Sequence, residues 1–470
     1  MPLCRLVNED QFTIQGKERD KVAKVLTFNW LIKSLREVIQ TFPDKRTGKN
    51  SNYSIEDLGL GAFSVFFTQS PSFLAHQRTM EELNGKSNAQ TLFEIKQIPT
   101  DNHIRDILDS VEHEIIFPVF DQVIENLHQS GHLEDFRTFN GDLLGVLDGT
   151  RYFSSKKIHC QNCSTTTHAD GSTTYYHSMI NPVIVAPGQN KVIPLIPEFI
   201  LPQDGHDKQD CENAAAKRWI EKHGKKYSAM KMTLSGDDLY SKQPLCKIFL
   251  KAGFNFILVA KPESHKTLYE WVELLEEGID RQSITIRRWN GKFQEIYTYR
   301  YANHVPLRES EDTLWVNWFE ITIFKENGEI MYKNSFITNH NIRDKNIEAL
   351  TLWGRARWKV ENENNNILKT KGYQLEHNYG HGKKNLSFLL ATLIILSFLF
   401  HTILEMVDEN YCLLRKKLPT RKTFFDDIRA LTRYLYFNSW DYLMWFMLKG
   451  LEERHKIKVE EKGIKRVSLL

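Results

Sequence analysis

Cysteine is scarce in this chain, six scattered among 470 residues, which excludes a disulfide scaffold and makes a reducing compartment the default. An excess of either charge is missing as well. Lys and Arg number 62 against 59 Asp and Glu, a net of +3, so whole-chain charge singles out no partner. There is no long low-complexity run, and an apolar content of 41% with 12% aromatics excludes a disordered tail protein. The opening residues, "MPLCRLVNEDQF", carry no apolar signal segment, so secretion is not expected.

The length suffices for two or three packed units. Residues 1–135 read as helical: "DKVAKVLTFNWLIKSLREVIQTF" has apolar residues at helical spacing, and Thr100 and Asp101 stand as cap residues before a second such stretch. Residues 136–280 change character. Short apolar runs of strand length, "DLLGVLD", "NPVIVAP", "NKVIPLIPEFI", "SAMKMTLSGDD" and "FNFILVAKP", alternate with helical stretches such as "DCENAAAKRWIEKHG" and "PLCKIFLKAG", which predicts an α/β sheet flanked by helices. Residues 281–342 are β-rich, with Asn290-Gly291 and Asn327-Gly328 between strand-like runs, and predict a β-hairpin insertion. Helix returns over 343–408, assigned to the second part of the α/β core, and residues 409–470 are helical and basic. Residues 411–470 hold 14 Lys and Arg against 7 Asp and Glu, a balance that suits nucleic acid, an anionic membrane surface or a solvated helix face.

One long hydrophobic run stands out, "LSFLLATLIILSFLFHTIL", Leu386 to Leu404. Its length matches a bilayer span, and Ser387, Thr392, Ser397, His401 and Thr402 equally suit a buried core helix. The α/β context favours the core helix, so no membrane partner is expected.

Two predicted strands end in aspartate: "GVLDGT" supplies Asp148, and "TLSGDDLY" supplies Asp237 and Asp238. Ligands gather beyond strand C-termini in open α/β sheets, whereas Asp148-Gly149 is also a common turn pair. In "RARWKVENENNNILK", Arg357 and Glu361 stand four apart on one helical face, as a surface ion pair or as part of a site. Two aspartates and a helical glutamate would make an oxygen-rich site for Mg2+ or Mn2+, able to activate an attacking oxygen and stabilise a leaving one on phosphorus.

The sequence "HCQNC" places Cys160 and Cys163 in C-x2-C spacing, with His168 and His177 downstream. These four are candidate ligands of a structural Zn2+, against unligated thiols in a loop; Cys211 and His206 are further candidates. Trp289, near the first hairpin tip, is a candidate platform for an unpaired base or a packing residue. "GHGKKN", Gly380 to Asn385, lacks the spacing of a P-loop and is read as ending the helical region that holds Glu361, touching a DNA backbone weakly if at all.

The order Asp148, Asp237, Glu361, with the β-hairpin insertion before the glutamate, resembles the DDE transposases of bacterial insertion sequences. Within them it is similar to the branch whose last acidic residue lies in a Tyr-x2-Arg-x3-Glu-x6-Lys signature. The phrases "LDGTRYF", "DKQDCENAAAKRW", "LSGDDLY" and "RWKVENENNNILKTKGYQLEHNYGHG" carry the resemblance, which spans about Leu58 to Val407. It implies an RNase H-like mixed sheet flanked by helices, and cleavage and strand transfer at insertion-sequence ends. It further implies catalytic Mg2+ or Mn2+ ligands at Asp148, Asp237 and Glu361, with DNA contacts from Arg357 and Lys369. The partners it implies are the terminal inverted repeats, target DNA and a second copy of the chain on DNA, in a cytoplasmic, nucleoid-associated location. An inactive or domesticated DNA-binding relic, or a membrane-anchored binding protein, are the alternatives. The chain departs from the signature at its tyrosine position, Gly354, and at its lysine position, Leu368, with Lys369 one step on. That step rotates a side chain by about 100° on an ideal helix.

Overall fold

The computed structural model describes residues 26–46, 53–80, 87–202, 211–418, 420–451 and 465–466. The helical reading of residues 1–25, His206 and most of the charged tail lie outside them. The chain forms two compact units, one of Met1–Glu134, Tyr152–His177 and Asn366–Leu470, the other of Asp135–Arg151 and Ser178–Asn365. The first boundary falls where the sequence changes character. The later ones differ from the expectation, because residues 366–408 group with the N-terminal helices instead of completing the α/β core.

The reason lies in the helix Leu386–Val407. Every residue from Leu386 to Leu404 is buried, and a helix apolar on all sides needs neighbours on all sides. It packs against helices Ile55–Phe67, Phe28–Ile39, Asp101–Leu108 and Glu409–Lys417. Three of its polar residues find partners. Thr392 Oγ1 donates to the Phe388 carbonyl at 2.8 Å, Ser397 Oγ donates to the Leu393 carbonyl at 2.9 Å, and His401 Nδ1 meets Tyr373 OH at 2.7 Å. The run is long and apolar enough to cross a membrane, and here it is the wholly buried core of a helical unit.

The strands follow in chain order: β1 Leu143–Val146, β2 Gly149–Ser155, β3 Ser164–Thr167, β4 Thr173–Ile180, β5 Val183–Val185, β6 Ile193–Pro194 and β7 Glu198–Ile200, then β8 Met232–Gly236, β9 Asn255–Val259, β10 Arg281–Trp289, β11 Gln294–Pro306, β12 Trp315–Lys325 and β13 Ile330–Thr338. Nine of them form one mixed sheet in the order β10-β11-β12-β13-β9-β8-β1-β5-β6. At its centre β1 runs parallel to β8, Leu143 opposite Met232, and β8 runs parallel to β9, Leu234 opposite Phe256. On the other side β1 is antiparallel to β5, Leu144 opposite Val185. All residues of β1 and β8 are buried, so β1 reads as an unbroken apolar run, while β8 buries Thr233 and Ser235 between its apolar residues.

Strands β10 to β13 pair in succession as antiparallel hairpins, and β13 also pairs with β9, Ile337 opposite Leu258, so four strands continue the core sheet and cover an edge that would otherwise be open. Strands β2 to β4 were not foreseen, because Thr, Ser, His and Tyr fill them and their apolar alternation is weak. The two hairpin signals do sit at turns, with Gly291 at φ 95 and Gly328 at φ 83.

Candidate active site

Asp148 follows β1 by two residues and Asp237 follows β8 directly. Because β1 and β8 are parallel neighbours, both carboxylates emerge at the same end of the sheet. Glu361 lies on a π-helical turn, Val360–Asn365, beyond the helix Ile347–Ala356. Such wide turns recur at functional sites because they re-aim side chains that an α-helix would send elsewhere. Here the turn sets Asn365, four residues after Glu361, against the strand end. Asn365 Nδ2 donates to Asp148 Oδ2 at 3.0 Å. Asn365 is itself held by Asn364, whose Nδ2 reaches its Oδ1 at 3.1 Å.

The electrostatics report convergence. The Asp148 carboxyl is pushed up to about 7, first by burial, opposed by the positive charge of Arg357 and reinforced by the negative charges of Glu212, Asp237 and Glu361. Three acidic side chains and one arginine thus act on Asp148 at the strand ends.

Glu212 was missed in the sequence, although "DKQDCENAAAKRW" contains it. It opens the helix Glu212–Ala229, and its Oε2 accepts a 3.1 Å hydrogen bond from Tyr240 OH. The Gly149 backbone N–H also donates to it, and burial raises its carboxyl above the usual range against both hydrogen bonds. A Cβ at Gly149 would collide with this carboxylate. Gly149 does not take a positive φ, so the glycine after Asp148 makes room for Glu212 instead of serving a tight turn. The only sequence signal was an acidic residue in a first helical turn, which is common for dipole reasons alone.

Neighbouring acids divide their roles. Asp238 is consumed by the loop after β9: it accepts from the Lys261 N–H at 2.7 Å and from Ser264 Oγ at 2.6 and 2.5 Å. Among the described residues, Asp237 accepts a local bond from the Leu239 N–H at 2.9 Å, and its charge acts on Asp148. Glu363 binds the buried Lys359 through both oxygens at 3.0 Å, whereas Glu361 is exposed.

The remaining candidates are dispersed. Trp289 is 69% exposed at the end of β10. Lys369 lies in the helical unit, its Nζ on Glu376 Oε1 at 3.0 Å. Arginines of the basic C-terminal helices are partly occupied within their own unit: Arg429 Nη1 donates to the Thr68 and Gln69 carbonyls at 2.7 and 2.8 Å, and Arg421 reaches Glu405 at 3.3 Å. "GHGKKN" is also corrected. It begins the helix Leu386–Val407, and the N–H groups of Lys383, Lys384 and Leu386 donate to the Asp109 carboxylate at 3.0, 3.0 and 3.1 Å. Its anion is therefore supplied internally.

A second centre forms in the helical unit. Cys160, Cys163, His177 and His381 bring one ligand atom each within 4.8 Å of one another, a group that could hold a metal ion; among the described residues no acidic group is that tight. His168 is not part of it. It sits at the β3–β4 turn, its Nε2 on Thr174 Oγ1 at 2.7 Å, about 16 Å along an extended strand from Cys163. The pairing of Ser164 with Tyr176 instead carries His177 back opposite Cys163. Cys211 is exposed at a helix N-cap in the sheet unit. Neither a protein-family model nor a curated protein sequence matches the chain.

Proposed function

We propose that the chain is a metal-dependent polynucleotidyl transferase of DDE type, which cleaves DNA at insertion-sequence ends and joins them to target DNA. The observation that carries this reading is the convergence of the Asp237, Glu361 and Glu212 charges on Asp148. Like charges gathered in a half-buried site repel one another unless a cation joins them, and an all-oxygen donor set suits a hard divalent ion. Mg2+ or Mn2+ held by Asp148, Asp237 and Glu361 would supply activation of the attacking oxygen and neutralisation of the leaving one.

The chain's own residues do the rest. Asn365 orients the Asp148 carboxylate, while Tyr240 and the Gly149 N–H orient Glu212. Arg357 offsets the surplus negative charge and would meet a phosphate oxygen. In the first step a water oxygen attacks phosphorus and the 3′-oxygen leaves as a hydroxyl. In the second that 3′-hydroxyl attacks a target phosphodiester and displaces its 3′-oxygen. The strand order β6-β5-β1-β8-β9, with β8 and β9 parallel to β1, supports an RNase H-like core. Exposed Trp289 is assigned to an unpaired base, and two DNA ends call for two copies of the chain.

The test uses a supercoiled plasmid carrying the gene with its natural flanks. Full-length protein and Mg2+ should nick at the element borders, and Asp148→Asn should not. Nicking by that variant at the wild-type rate would remove the assignment.

A further inference from the structure

The Cys160, Cys163, His177 and His381 cluster has a geometry of its own. Tetrahedral zinc holds sulfur at about 2.3 Å and nitrogen at about 2.0–2.1 Å, so its ligand atoms stand about 3.8 Å apart for two sulfurs and about 3.5 Å for sulfur and nitrogen. Here Cys160 Sγ and Cys163 Sγ are 3.9 Å apart. His177 Nε2 lies 3.6 Å from Cys160 Sγ and 3.5 Å from Cys163 Sγ. His381 Nε2 lies 3.6 Å from Cys163 Sγ. Four edges match the polyhedron. A disulfide would need about 2.05 Å between the sulfurs, and a hard cation would not select them.

The surroundings agree. His177 is 0% exposed, Cys163 6% and His381 7%, and the rings of Phe153 and Phe388 pack on the two imidazoles. Two thiolates and a divalent ion make a neutral centre, which such an apolar setting tolerates far better than a lone thiolate. Among the described residues the Nδ1 atoms of His177 and His381 have no partner, and the two rings stack with centroids 5.0 Å apart. Asn162, inside the C-x2-C, donates from Nδ2 to the Lys384 carbonyl at 3.2 Å, a second tie between the same two segments.

We propose that Cys160, Cys163, His177 and His381 bind one structural Zn2+, which fastens the β3–β4 hairpin to the loop that starts the helix Leu386–Val407. With all four positions filled by protein the centre is closed, which assigns it to folding and not to catalysis.

Full-length protein purified without added metal or chelator should contain about one zinc per chain by elemental mass spectrometry. Its Co2+-exchanged form should show the intense visible bands and thiolate charge transfer of a tetrahedral S2N2 site. His168→Ala should keep the zinc, and His381→Ala should lower retention at least tenfold against a competing chelator. A chain without zinc that also lacks the tetrahedral Co2+ spectrum overturns the proposal. So does a Cys160–Cys163 disulfide in the purified protein, or zinc lost by His168→Ala and kept by His381→Ala. The Co2+ spectrum is read on the unsubstituted chain, so a variant that fails to fold does not blur the result, and neither readout depends on DNA cleavage.

Discussion

The Glu212 carboxylate occupies the space that a side chain on Gly149 would need, so that the residue after Asp148 is a glycine for contact and not for conformation. This ties the N-terminus of the helix Glu212–Ala229 to the end of β1. Gly149→Ala should therefore displace Glu212, cost roughly 1–3 kcal/mol from overpacking and lower nicking by about a hundredfold through misplacement. Urea unfolding and the plasmid assay measure the two effects. An unchanged rate would mean that Glu212 stands apart from the chemistry.

The adjacent aspartates should separate cleanly. Asp238→Asn weakens bonds to Lys261 and Ser264 and should cost about 1–3 kcal/mol while Mn2+ binding survives. Asp237→Asn should leave the melting temperature nearly unchanged and abolish Mn2+ binding in calorimetric titration. The opposite pattern would move the metal ligand to Asp238.

Glu361 and Glu363 offer a parallel contrast. Glu363→Gln leaves Lys359 buried with half its partner gone and should destabilise by roughly 1–3 kcal/mol, with nicking retained below the new melting point. Glu361→Gln, at an exposed position, should shift stability by no more than about 0.5 kcal/mol and abolish nicking. Cleavage that tracks Glu363 instead would reassign the third carboxylate.

Asp148 predicts a pH dependence. Its carboxyl is raised from 3.8 to about 7 in the folded chain, by burial first and by its acidic neighbours next. The folded state thus holds the proton more tightly than the unfolded one. The resulting stabilisation is complete below pH 3.8 and is lost as pH rises through about 7. In chelator, relative to Asp148→Asn, the protein should lose roughly 2–4 kcal/mol of stability between pH 4 and pH 8. Mg2+ should restore it at pH 8. Parallel profiles for the two proteins would show that Asp148 is not buried among like charges.

Much of the architecture was legible because its signals are local. Short runs of strand length marked β1, β8 and β9, Asn-Gly pairs marked two hairpins, and the aspartates after β1 and β8 could be placed by counting. The second part of the core was misplaced because the apolarity of Leu386–Val407 shows that the helix is surrounded without showing by what. His168 was a candidate because it is near Cys163 in the chain, but a strand carries near neighbours apart, and nothing local pointed to His381.

By itself the sequence determined which segments alternate with period two, which turn with period 3.6, and which chemical groups end them, since neighbouring residues alone set those patterns. Tertiary structure decided the membership of both centres. It brought Glu212 and Asn365 to Asp148, tied Asp238 to Lys261 and Ser264 and Glu363 to Lys359, and set His381 beside Cys163 across more than two hundred residues. Such choices depend on the register of strands and the packing of helices, which bring distant residues together only once the chain has closed on itself.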